Sequence, residues 1–75
     1  MDQTYARQFF TPEAAEETYA RLARKLYPLC TTEEGLASQE ADDLREAMEL
    51  PWYALSDDGQ ARMHALCLAL AKEFP

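Results

Sequence analysis

The stretch Thr11-Pro12-Glu13-Ala14-Ala15-Glu16-Glu17-Thr18-Tyr19-Ala20-Arg21-Leu22-Ala23-Arg24-Lys25-Leu26-Tyr27 decides the fold class. Ala15, Tyr19, Leu22, Leu26 and, beyond Pro28, Leu29 recur at alternating steps of four and three, which puts them on one helical stripe. Thr11 is placed to cap the first turn, and Pro12 occupies a position where its missing donor costs nothing. Glu13, Glu16 and Glu17 sit toward the positive end of the helix dipole and Arg21, Arg24 and Lys25 toward the negative end, with Glu17 four residues before Arg21 in the favourable order. The spacing predicts a helix over 12–27, ended by Pro28.

Working outward, Leu29-Cys30-Thr31-Thr32 reads as a connection, and Thr31 with Glu34 has capping-box spacing; Ser38 is a rival start. The series Ala37, Ala41, Leu44, Met48 carries a second helix over about 33–49 from either start. Pro51 disrupts continuation from Leu50, so residues 50–56 read as a Pro-Trp corner that swings Trp52 and Tyr53 onto the bundle. Ser56 then caps a third helix, 57–73, with Met63, Leu66, Cys67, Leu70 and Phe74 inward. Before the first helix, the arm 1–11 is short and aromatic, with adjacent Phe9 and Phe10 unable to point the same way. The expectation is an all-α, compact three-helix bundle forming a single domain over 1–75.

The chain has 75 residues, 14 acidic and 7 basic side chains, a net charge of -7 and 48% hydrophobic content. That is one small domain with enough apolar content to collapse. Burial worth on the order of 115 kcal/mol is offset by a nearly equal ordering cost, so association is a credible source of added stability. The charge excludes an unaided grip on nucleic acid or an anionic membrane, since phosphate contacts want cations. No long apolar run or positively flanked leader is visible, and a cytoplasmic setting is the default. There Cys30 and Cys67 favour free thiols.

Two surfaces stand out. Glu40, Asp42, Asp43, Glu46 and Glu49 make the second helix strongly negative, a surface suited to a basic protein partner. From Ala65 to Ala71 the third helix is apolar around its circumference, more than one small bundle hides, so Leu68 needs cover from the arm, the first helix or another subunit. Phe9, Phe10, Trp52 and Leu68 are the candidate interface anchors.

Other chemistry is thinner. His64 and Cys67, one helical turn apart, would need Cys30 and a further ligand to hold zinc, or an orienting residue to act as a base and nucleophile pair. Trp52, Tyr53, Tyr19, Tyr27 and Met63 lack the cations of a nucleotide-stacking platform. The segment Trp52-Tyr53-Ala54-Leu55-Ser56-Asp57-Asp58-Gly59-Gln60-Ala61-Arg62-Met63 resembles the tryptophan, leucine-serine turn and following helix of the HMG-box family. The likeness spans twelve of the 75 residues. That family's box is an L-shaped, basic, DNA-bending three-helix domain with an intercalating apolar wedge, from which the acidic second helix departs. The likeness is read as convergence on a tryptophan-supported, serine-capped corner, and no residue role is carried over.

The functional expectation is a non-catalytic, cofactor-free interaction domain: self-associating, or an accessory subunit or regulator of a larger partner. A nucleic-acid-mimicking inhibitor of a basic protein, and a metal or thiol protein built on Cys30, His64 and Cys67, are the alternatives.

Overall fold

A computed structural model describes residues 2–75. Among them there are only helices: α1 (Gln3–Ala6), α2 (Pro12–Leu29), α3 (Glu33–Leu36), α4 (Gln39–Ala54) and α5 (Asp57–Glu73). The radius of gyration is 12.5 Å. The all-α, compact expectation holds, but the described residues form five helices rather than the expected three: α1 and α3 are single turns inside the expected arm and second helix, and α4 runs over Gln39–Ala54 rather than about 33–49.

Each start has a side-chain cap. Asp2, Thr11, Thr32, Ser38 and Ser56 accept from the backbone N–H three residues on, at 2.7, 3.2, 3.0, 3.1 and 3.0 Å. Each such bond satisfies one of the donors a helix start leaves free. The expected second helix is thereby corrected. Thr32, not Thr31, caps the short turn α3, Thr31 donates instead to the Pro28 carbonyl at 2.9 Å, and α4 begins afresh after Ser38. Gly35 permits the tight exit from α2, because a Cβ there would collide with the Leu29 carbonyl.

Both prolines expected to stop helices lie inside them instead. Proline removes the bond to the carbonyl four residues earlier, which belongs to Arg24 for Pro28 and Ala47 for Pro51. Arg24 and Ala47 are exposed residues, which leaves the freed acceptors on the solvent side of their helices. α4 therefore carries Trp52 and Tyr53 on a continuous helix, and the corner falls at Leu55 and Ser56 rather than at Pro51-Trp52.

α4 and α5 both pack mainly on α2 rather than on each other. α2 consequently buries Ala20 and Ala23 as well as Ala15 and Leu26, a wider band than the single predicted stripe, with Tyr19, Leu22 and Leu29 partly buried beside them. The expected Glu17–Arg21 pair does not form. Its neighbour Glu16 crosses to α5, where Arg62 donates to both carboxylate oxygens at 2.6 and 2.9 Å.

The interior has two parts. One contains Ala6, Ala15, Ala20, Ala54, Leu55 and Met63; the other contains Ala23, Leu26, Ala41, Met48 and Leu70; Tyr19 and Leu66 pack against both. The arm closes the first part. Ala6 is fully buried, and Arg7 donates to the Ala54 and Leu55 carbonyls at 3.2 and 3.4 Å while Gln3 donates to the Leu55 carbonyl at 3.0 Å. α4 has no basic residue in its last turn. A guanidinium from the arm supplies the cation that this dipole end favours.

Candidate functional site

The residues singled out from sequence are spread over the molecule. Glu40, Asp42, Asp43, Glu46 and Glu49 are all exposed along α4. Two of them are occupied: Asp42 accepts from Arg45 Nη1 at 2.9 Å and Asp43 from Gln39 Nε2 at 2.8 Å. Phe9 is 58% exposed and lies edge-on to Tyr5 at 5.3 Å, while Phe10 packs into the first part of the core. Trp52 is partly buried, with its ring 5.3 Å from that of Tyr19. Leu68 is 55% exposed, so neither the arm nor α2 covers it.

Around Leu68, Asp58, Ala61, Ala65 and Lys72 are also exposed. Positions 58, 61, 65, 68 and 72 alternate steps of three and four, which is the seam spacing of a helix that packs along another helix. The outward face of α5 is thus apolar at its centre, acidic at its start and basic at its end.

Cys30 and Cys67 are partly buried free thiols, and His64 is exposed. Among the described residues no group of three or more His, Cys, Asp or Glu is placed to hold a metal ion. The three side chains of the metal reading are not gathered, and no described helix is long and apolar enough to cross a membrane.

The structure does bring together the aromatic set Tyr19, Tyr27, Trp52 and Tyr53, without Met63, and adds residues that the sequence reading did not join to it. A groove of about 480 Å³ lies between α4 and α2, with Cys67 of α5 in its wall. α4 contributes Arg45, Met48, Glu49, Trp52 and Tyr53, and α2 contributes Tyr19, Leu26 and Tyr27. Positions 45, 48, 49, 52 and 53 follow helical periodicity and are legible as one face once α4 runs through Pro51.

The hydroxyl of Tyr19 lies 4.0 Å from the Cys67 sulfur. Burial, followed by the neighbouring Cys67, pushes the Tyr19 phenol up to about 12. Tyr27 is also raised, by burial first and by Cys67 second. Both phenols therefore stay neutral at physiological pH. Arg45 is largely committed elsewhere: besides Asp42, its guanidinium donates to the Leu36 carbonyl at 3.1 Å and approaches the Cys30 sulfur at 3.9 Å. Glu49 makes no hydrogen bond or ion pair among the described residues.

A second, more polar crevice between α2 and α5 is lined by residues of both signs and includes the Glu16–Arg62 pair. Arg62's hydrogen bond lowers the Glu16 pKa from its ordinary value, so the carboxylate stays ionised there. Compared with family models, curated proteins and solved structures, the chain matches none, and its functional reading rests on these residues alone.

Proposed function

We propose that the chain is a small acidic interaction domain that works by self-association through the outward face of α5. The carrying observation is Leu68, a large apolar side chain 55% exposed on a seam-spaced face and one step from its central Ala65. Burying a leucine stabilises by roughly 1.5–3 kcal/mol, and alanines at 61 and 65 let a second helix approach closely. An antiparallel second copy brings Asp58 of one α5 toward Lys72 of the other and opposes the two helix dipoles. The same surface would serve an accessory subunit docking on a larger chain.

On this reading the protein carries no catalysis of its own and acts in the cytoplasm. The exposed carboxylates of α4 steer basic partners and oppose non-specific aggregation. Phe9, exposed beside Tyr5, is a second apolar contact on the arm.

Sedimentation over a wide concentration range tests the proposal. The wild-type chain should dimerise in the micromolar range, and Leu68→Glu should weaken the dimer by at least about tenfold while leaving the helical content unchanged. A wild-type chain that stays monomeric at the highest concentrations overturns it.

A further inference from the structure

The groove has features the outward face of α5 does not explain. Tyr19, Trp52 and Tyr53 contribute aromatic surface to a space of about 480 Å³, within the range of small-molecule sites. We propose that this groove binds a small organic cation of the quaternary-ammonium class, with those three rings as its walls and Glu49 as its counter-charge.

Three properties select this ligand class. First, the negative faces of aromatic rings attract a diffuse cation, by about 0.5–2 kcal/mol according to how well the site is desolvated. Second, the uncommitted charge is negative. Arg45 spends its guanidinium on Asp42 and the Leu36 carbonyl, whereas Glu49 has no partner among the described residues. The net charge of -7 adds to the attraction and works against an anionic ligand.

Third, a primary ammonium needs hydrogen bonds for its three donors, and the groove offers it a single charged acceptor, Glu49. The Tyr19 hydroxyl is turned to the Cys67 sulfur, which leaves the Glu49 carboxylate and the Tyr27 and Tyr53 hydroxyls as side-chain acceptors. A trimethylammonium group makes no such demand and loses less on leaving water. Glu49 also continues the acidic row of α4, which extends the sequence-level expectation of a basic partner to a small molecule.

Trp52 is the chain's single tryptophan, so its fluorescence reports on the groove without labelling. The full chain is titrated with choline, with its neutral isostere 3,3-dimethylbutan-1-ol, and with sodium chloride as the ionic-strength control. Choline should give a saturable change, the alcohol a response at least about tenfold weaker, and the salt none. Glu49→Gln should weaken choline about three- to tenfold and leave the alcohol unchanged. Tyr53→Leu should weaken choline with little change in the alcohol. Equal responses to choline and the alcohol, no saturable response to choline, or an unchanged choline response in Glu49→Gln would overturn the proposal. The assay is run where sedimentation shows a single species, so its result does not depend on self-association.

Discussion

At one end of the molecule Ala6, Ala15, Ala20 and Ala54 close around Leu55 and Met63; at the other, Leu26, Met48 and Leu70 share the space with Tyr27, Cys30 and Cys67. Small side chains let the helix backbones approach, and the arm then covers what remains. Leu55 and Pro51 are accordingly the largest side chains removed fully from water. Tyr27 and the two cysteine sulfurs lie in the second part, and a groove remains where the two parts meet, lined by Trp52 and Tyr53 from the first and by Leu26, Tyr27, Met48 and Cys67 from the second. The same three helices thus enclose Leu55 fully and leave Leu26 beside an open groove.

The largest expected effect sharpens this contrast. Leu55→Ala should cost about 3–4 kcal/mol in denaturant-measured stability, because a fully enclosed leucine leaves a cavity the structure cannot fill. Leu26→Ala removes the same atoms beside an existing groove and should cost nearer 2 kcal/mol. Equal losses would break the distinction between the two ends.

Next is the arm. Arg7→Met keeps the aliphatic stem and deletes the donors to the Ala54 and Leu55 carbonyls; it should cost about 1 kcal/mol and raise proteolysis of the first ten residues. An unchanged protease pattern would show that Gln3, Ala6 and Phe10 hold the arm without Arg7.

The smallest effect is in pH. Glu16 has a lowered folded pKa, so its contribution is present above the ordinary carboxylate value and is lost as pH falls through the folded one. Tyr19 and Tyr27 behave oppositely. Their raised values stabilise the fold below pH about 10 and are lost as pH climbs toward about 12 for Tyr19. Acid should therefore loosen the α2–α5 crossing near Arg62, and alkali the groove. Thermal melts of Glu16→Gln should show a flatter acid limb and those of Tyr19→Phe a flatter alkaline limb; exchanged limbs would refute the assignment.

Much of the fold was legible because its signals are local. The stripe of α2, the caps Thr11 and Ser56, and the inward set of α5 depend on residues within a few positions of one another. Ser38 was visible as a start, but the rival Thr31 spacing could not be decided without the Leu29 carbonyl, whose closeness explains Gly35. The groove was hidden by Pro51. Reading that proline as a stop detached Trp52 and Tyr53 from Arg45, Met48 and Glu49, although all five share helical spacing. What rescues the helix is tertiary: Pro51 is buried while Ala47, which loses the bond, faces water. The Glu16–Arg62 and Arg7–Ala54 contacts were equally out of reach, since they join residues 46 and 47 positions apart.

The arm's attachment also sets an order of events. The carbonyls that receive Gln3 and Arg7 become free acceptors only after α4 has ended and the chain has turned at Leu55. Joining partners 47 to 52 positions apart carries a closure entropy that one turn of α1 does not repay by itself. Docking of the arm is thus expected to follow formation of α4 and its turn at Leu55, and its release is an opening that leaves the three long helices in place.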